Sequence, residues 1–462
     1  MGNIDSADWL KRLGQTQLLE HLNLLAGSSR AKLEAQLQII DWQTLENLLS
    51  PNKVFGPDSV SQALEPMNPH PLGSDIQIEL SLAEAFVRAR KLALFTLAGG
   101  QGSRLGFEGP KGCFGITPVR NYPLFGVFSE KLLAAQSRFG VEIPWTIMTS
   151  PQNNGETVDF FEKHRYFGLK KDKIHFFVQG TMPIIDSQTG QLLLESNDSL
   201  ALAPDGTGGA FKALYRSGAL DWLKKKGVKT LSYIQVDNPL ITPVDALFLG
   251  VHLNTKSQYS SKAVKKMVPE EKVGVFAKRN GALTIVEYID MPKETTQRRD
   301  AEGNLLYGSA NIAAHLIEIA FIEKISKEGS LPYHRAHKKE PFWDGARRIA
   351  PEKPNAFKFE QFSFEALPFA SNPIVFETRR EEEFSPAKNA EGVDSPAWCR
   401  RDQLRQWARW LKAVGVDVPS DAEGTPKINF EITPLFADSV EALKAKAVEG
   451  ELPKTISEGM VL

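Results

Sequence analysis

The segment Leu97-Ala-Gly-Gly-Gln-Gly-Ser-Arg-Leu-Gly106 gathers residue types suited to handling anions. Gly99, Gly100 and Gly102 put three glycines within four residues, so the backbone can come close to an anion and aim its N–H groups at phosphate. Arg104 adds a fixed positive charge with forked donors, and Lys111, in Pro110-Lys111-Gly112, follows near enough to reach the same site. The run Leu97, Ala98, Gly99, Gly100, Gln101, Gly102 therefore reads as a phosphate-binding turn with Arg104 and Lys111 as its cations. Other phosphate motifs do not fit. A dinucleotide fingerprint needs a third glycine where Leu105 stands, and a Walker loop needs a Gly-Lys dipeptide that the chain lacks. A protein-kinase reading fails for want of a His-Arg-Asp loop and an Asp-Phe-Gly. A purely structural glycine turn is the alternative.

Two further segments carry weaker signals. Ala203-Pro-Asp-Gly-Thr-Gly-Gly209 opens a helix and suits close contact with a flat or anionic ligand, but an Asp-Gly turn with an N-cap explains it as well. Gln235-Val-Asp237-Asn238-Pro ends a strand, and a carboxylate there can hold Mg²⁺ against phosphates; a turn-initiating Asp is the competing reading. Glu287, Asn311 and Lys388, each taken alone, read as surface or turn residues. His334 and His337 lack the carboxylate or cysteine partners of a metal site, and Cys113 reads as a small packed side chain.

These residues need a scaffold that brings them to one edge. From about residue 81, β-rich runs alternate with helical stretches: strands at Leu92–Leu97, Trp145–Met148, Ile174–Val178 and Leu231–Val236, with helices around Val158–His164 and Pro243–Leu253. That alternation predicts an α/β fold with a mostly parallel sheet, whose ligands bind at the carboxyl ends of strands. Lys272–Ile289 reads as a hairpin turning at Asn280-Gly281. His315–Ser326 and residues 396 to about 413 read as amphipathic helices, Ile428–Ile432 as a strand and 438–447 as a helix. Before residue 80 the leucines recur at helical spacing, and Pro51, Pro57, Pro66, Pro69 and Pro71 punctuate a connecting region. The expected division is a helical part over 1–80, a catalytic domain over 81–395 and a small C-terminal α+β domain over 396–462. The charge runs Lys224–Lys226 and Arg379–Glu383 read as solvated faces.

The 462 residues carry 55 Lys plus Arg against 56 Asp plus Glu, a formal net charge of −1. That balance argues against a general nucleic-acid binder. Two cysteines give no disulfide framework, and no apolar stretch is long enough to span a membrane. The expectation is a cytoplasmic protein with neither a nucleic-acid nor a membrane partner. Gly2 and Ser6 fit a loose myristoylation pattern that carries little weight.

Taken in order, the motifs resemble those of the UDP-sugar pyrophosphorylases, in particular the eukaryotic-type UDP-N-acetylhexosamine pyrophosphorylases, over roughly residues 85 to 395. The glycine loop, Pro-Lys-Gly, Phe-Phe-Val-Gln-Gly at 176–180, Ala-Pro-Asp-Gly-Thr-Gly-Gly and Val-Asp-Asn carry the likeness. So do Val-Gly-Val at 273–275, Val-Glu-Tyr at 286–288, Ala-Asn-Ile, Phe-Ser-Phe at 362–364 and Phe-Ser-Pro-Ala-Lys-Asn at 384–389. The resemblance implies a Rossmann-like nucleotidyltransferase core that turns UTP and a sugar 1-phosphate into a UDP-sugar and pyrophosphate, with Mg²⁺. It implies that Gln179 and Gly206 contact uridine, that Asp237 binds the metal, and that Arg104, Lys111 and Lys388 are the phosphate-contacting cations. It implies that Thr207, Gly274, Glu287, Asn311, Phe362 and Phe364 line the sugar side. N-acetylglucosamine 1-phosphate is the favoured substrate. The family has Asn where this chain has Thr207, which makes glucose 1-phosphate the chief competitor. A non-catalytic UDP-sugar-binding protein is a lesser alternative. So is a glycosyltransferase, which the missing Asp-x-Asp disfavours.

Overall fold

Leu92–Leu97 is six residues long and buried along its whole length, the mark of a strand covered on both faces. It is an inner strand of a ten-stranded sheet in a computed structural model that describes residues 5–50, 64–71, 76–329 and 331–462. Gly2, Pro51 and Pro57 lie outside the described residues. The chain divides into two compact units, one of residues 62–178, 213–328 and 366–462, the other of residues 1–61, 179–212 and 329–365.

The larger unit runs, in chain order, through α1 (Gln77–Arg88), β1 (Leu92–Leu97), α2 (Leu124–Phe139), β2 (Trp145–Thr149), α3 (Asn154–Lys163), β3 (Ile174–Val178) and β4 (Thr230–Gln235). It continues through α4 (Ala246–Asn254), β5 (Tyr259–Lys265), β6 (Val275–Arg279), β7 (Ala282–Val286), β8 (Ser309–Glu318), α5 (Ile319–Glu328), β9 (Ile374–Glu377), α6 (Pro396–Ala413) and α7 (Val440–Val448). Strands β4, β1, β2 and β3 lie side by side and parallel, with Leu97 opposite Gln235 on one side and Met148 on the other. On the far side of β4 the sheet turns antiparallel through β8, which pairs with β5 and β6. The expected Rossmann-like α/β core is therefore present, with an antiparallel flank added to its parallel half.

The local chemistry explains most boundaries. Helix α2 follows Pro123 and stops at Gly140, whose φ of 67° is the left-handed C-terminal cap that glycine accepts most readily. Helix α6 starts with Ser395, whose hydroxyl accepts from the Trp398 amide, and with a proline in its first turn. The β6–β7 hairpin turns at Asn280 and Gly281, both with positive φ, as their type predicts. Two expectations need correction. His315–Glu318 belongs to β8, and the helix begins only at Ile319. A strand buried between β4 and β5 carries a continuous apolar run that periodicity cannot tell from a helix. Ile428–Ile432 forms no strand; Glu431 makes an isolated parallel bridge to Val461.

The smaller unit collects helices Ser6–Arg12, Thr16–Leu24, Gly27–Gln38 and Trp42–Leu49 with a three-stranded sheet of His334–Lys338, Ala356–Glu360 and Ile185–Asp186. Its core joins Leu10, Leu37 and Leu45 to Ile185, Leu200 and Phe359. The apolar stripes of four short helices are too narrow to close a core among themselves, so they close it on sequence-distant strands. This partition differs from the expected 1–80, 81–395 and 396–462. Among the described residues, no helix is long and apolar enough to cross a membrane.

Candidate active site

In the larger unit the glycine loop leaves the carboxyl end of β1 and folds back on itself. The Gly102 amide donates to Gly109 O at 2.9 Å and the Lys111 amide to Gly100 O at 3.0 Å. These bonds bring Lys111 back over the loop. At Gly102 a Cβ would lie 2.6 Å from the Phe107 ring, so glycine is required by packing. At Gly100 a Cβ would meet only Lys111 Cε, at 3.9 Å. No protein packing explains that glycine; it keeps the exposed face of the loop bare. Leu97 and Ala98 are buried at the strand end, whereas Gln101 and Arg104 are exposed. Asn153, fully buried at the start of α3, holds the loop from below. Its amide donates to Ala98 O at 2.9 Å and Gly100 O at 3.3 Å, and its Oδ1 accepts from the Ser150 amide.

Asp237 follows β4, level with that loop because Gln235 pairs with Leu97. Its Oδ2 lies 3.3 Å from Lys111 Nζ, both side chains being mostly buried. The Ala387 amide donates to Asp237 O at 2.8 Å, which brings the neighbouring Lys388 to the same strand end. The Lys388 ammonium sits 5.8 Å from the centre of the Phe384 ring. Burial pushes the Asp394 carboxyl up; the Lys388 charge opposes this, and Asp237 and Glu271 add to it. Burial first, and the nearby Glu156 charge second, push the Cys113 thiol up to about 12, away from the thiolate form.

Gly274, Glu287 and Asn311 form a second cluster in this unit. The Asn311 amide donates to Gly274 O at 2.8 Å, and a Cβ at Gly274 would stand 2.9 Å from Glu287 Oε1. Strand β8 runs antiparallel to β4 with His315 opposite Tyr233, so the earlier part of β8, which carries Asn311, lies toward the end of β4 that leads to Asp237.

The remaining predicted residues belong to the smaller unit. Gln179 donates to Gly206 O at 2.9 Å. Gly206 has φ of 84°, and a Cβ there would be 2.3 Å from Gln361 O, so its glycine is fixed by the backbone beside it. Thr207 Oγ1 accepts from the Ser363 amide at 3.1 Å, tying the glycine-rich turn to the Phe362–Phe364 segment. The Phe362 and Phe364 rings stack with centroids 5.2 Å apart and planes 5° from parallel. His334 hydrogen-bonds Glu365 and lies against Phe362. Sequence reading missed Asn153, Asn238 and Glu383. It also took Arg379–Glu383 for a solvated face. Glu383 is in fact buried, pairs with Lys262 at 3.0 Å and accepts from the Thr242 amide, while Glu382 accepts from Trp410 Nε1. A run of charged residues alone does not reveal an inward-facing carboxylate.

A family model described as UTP–glucose-1-phosphate uridylyltransferase matches residues 58–394. The chain is 33% identical to UDP-N-acetylhexosamine pyrophosphorylase-like protein 1 of Mus musculus, across 94% of this chain and 93% of that one. It is 37% identical to UDP-N-acetylglucosamine diphosphorylase 2 of Arabidopsis thaliana, across 77% and 72%. It also superposes with a TM-score of 0.82 on a crystal structure of the uridine diphosphate N-acetylglucosamine pyrophosphorylase of Trypanosoma brucei in complex with inhibitor. That match is 27% identical and covers 100% of this chain and 99% of the other.

Proposed function

Because the chain belongs to the UTP–glucose-1-phosphate uridylyltransferase family, and so to the UDP-sugar pyrophosphorylases, we propose that it joins UTP to N-acetylglucosamine 1-phosphate, releasing pyrophosphate. The observation that carries this reading is the bare glycine loop at the end of β1 with Lys111 folded over it, 3.3 Å from Asp237 at the end of β4. In the reaction, a phosphate oxygen of the sugar phosphate attacks the α-phosphorus of UTP in line. The new P–O bond forms as the bond to the β-phosphate oxygen breaks, and the electron pair leaves with pyrophosphate. Positioning and charge neutralisation suffice, and no protein nucleophile is needed.

In this scheme the backbone from Leu97 to Gly102 holds the phosphates, and Arg104, Lys111 and Lys388 offset their charge. Gln179 and Gly206 contact uridine. The sugar-side residues that the family likeness suggests are Gly274, Glu287 and Asn311 in the larger unit and Thr207, Phe362 and Phe364 in the smaller. Asp237 is a single hard carboxylate beside the phosphate loop, which fits Mg²⁺, an ion that takes one or two carboxylates and completes its shell with phosphates and water. Bound there, Mg²⁺ supplies positive charge to the phosphates. The relatives' names favour the N-acetyl sugar. Thr207 favours glucose 1-phosphate as the second reading, since a hydroxyl that already accepts from Ser363 keeps one O–H donor and one lone pair where an amide has two donors and a carbonyl acceptor. The two unpaired cysteines fit a cytoplasmic setting.

The test is pyrophosphate release from UTP and Mg²⁺ with each sugar phosphate. Faster turnover of N-acetylglucosamine 1-phosphate supports the proposal. Preference for glucose 1-phosphate replaces the substrate, and no release with any sugar phosphate overturns the reading.

A further inference from the structure

Asp237 and Lys388 are 151 positions apart in the sequence, yet any joint role in phosphate chemistry requires them to be held in register. We propose that Asn238 is the positioning residue that sets this register. It is buried at 4% exposure. Its Nδ2 donates to Glu383 O at 2.8 Å and its Oδ1 accepts from the Ser385 amide at 3.0 Å, so it grips the chain on both sides of Phe384. Two residues on, the Ala387 amide donates to Asp237 O at 2.8 Å. Three hydrogen bonds thus splice residues 237–238 to 383–387, and Lys388 is the next residue along.

Both halves of the splice are braced. Glu383 Oε2 accepts from the Thr242 amide at 3.0 Å, and Glu383 Oε1 pairs with buried Lys262. Ser385 O accepts from the Cys399 thiol at 2.7 Å, and the Ser385 hydroxyl donates to Asp402. Lys131 Nζ donates to the carbonyls of Pro239, Leu240 and Ile241 at 2.6, 3.0 and 2.7 Å. Asn238 is therefore the coupling between two stiff pieces. Only a side-chain amide offers a donor to one carbonyl and an acceptor to one amide at this reach; an aspartate would set a carboxylate against the Glu383 carbonyl. A positional error of about 1 Å at a charge-stabilising group can cost about a hundredfold in rate.

This inference rests on the proposed role of Lys388, so the experiment is a double-mutant cycle of Asn238→Ala and Lys388→Ala in the full chain. Readouts are kcat and KM for pyrophosphate release and the melting temperature. Asn238→Ala is expected to lower kcat roughly 10- to 100-fold with the KM for UTP changed little, and to cost less than about twofold further once Lys388 is alanine. The melting-temperature loss should persist in both backgrounds. An equal kcat loss in both backgrounds, or none in either, overturns the proposal. If Lys388→Ala alone leaves kcat unchanged, the reading of Lys388 fails instead. Should the alanine variant melt too low to assay, Asn238→Leu, close to it in volume, carries the same cycle.

Discussion

Lys111 stands where charge develops, over the bare face of Gly100 and beside Asp237, so its removal changes electrostatics with little packing loss. Lys111→Ala is expected to lower kcat by about 10²–10³-fold, the usual worth of one aimed charge-stabilising donor. Steady-state pyrophosphate release checks this, and an unchanged kcat would take Lys111 out of the mechanism. Thr207 makes a different kind of demand. Thr207→Val removes the hydrogen bond that Thr207 Oγ1 accepts from the Ser363 amide, a loss of about 0.5–1.5 kcal/mol. Thr207→Ser retains the bond, so in urea unfolding the serine variant should keep its midpoint while valine loses it. The residues legible in the sequence are those whose chemistry is local. Glycines and cations crowd one loop, and each glycine next to a strand end narrows the reading. Asn153 and Asn238 were illegible because their partners are 55 and 145 positions away, and an asparagine carries no mark of what it will hold.

Elements were legible where local signals agreed, as in the Asn280-Gly281 hairpin and the helix begun by Ser395-Pro396. They were misread where burial on two faces erased the period, as at His315–Glu318. The Arg379–Glu383 run shows the same limit in charged residues. Within it only Glu383 is buried, and that burial follows from Lys262 on β5, which is 1% exposed and faces Asp245 at 2.7 Å as well as Glu383. Burial alone would lower the Lys262 pKa, but the two carboxylates outweigh it and hold the pKa above the ordinary lysine value. Asp245 in turn caps α4 by accepting from the Phe248 amide. Lys262→Met fits the space and abandons the buried Glu383 carboxylate together with the partly exposed Asp245 carboxylate. It should destabilise the larger unit by about 3–5 kcal/mol, seen as a lower urea midpoint. Restoring most of that loss by adding Glu383→Gln would locate the cost in the orphaned charge, and an unchanged midpoint would show that the triad contributes nothing.

At the scale of the molecule, the α/β class was legible because alternating strands and helices leave few other solutions, whereas the two-unit partition depends on contacts between segments such as Ile185 and Leu45 that no periodicity announces. The larger unit also draws in the C-terminal segment. Arg120 donates to Glu130 on α2 and to Glu431 near the chain end, at 2.7 and 2.6 Å. Its global stability should carry a pH signature set in the sheet. His315 lies in β8 between the Tyr233 and Tyr259 rings, hydrogen-bonded to Ser261, and burial lowers its pKa from 6.5 to about 3. The folded protein therefore keeps this ring neutral over a range in which the unfolded chain protonates it. Since the unfolded state binds the extra proton, stability is full above 6.5 and falls as the pH drops through that value, by up to about 1.4 kcal/mol per pH unit, until about pH 3. Asp41, held down to about 2 by its Lys212 partner against the opposing effect of burial, adds its own loss only below 3.8, so the two windows overlap only between about 3 and 3.8. Urea midpoints taken between about pH 7 and about pH 5 stay clear of the Asp41 window, and a variant separates His315 from other histidines such as His175, whose pKa burial also lowers. In His315→Gln, which cannot take up a proton, the decline over that range should be shallower than in the wild type by about the single-proton slope. Parallel declines in the two proteins would mean that the ring titrates normally in the fold, and that the sheet tolerates a charge at its centre.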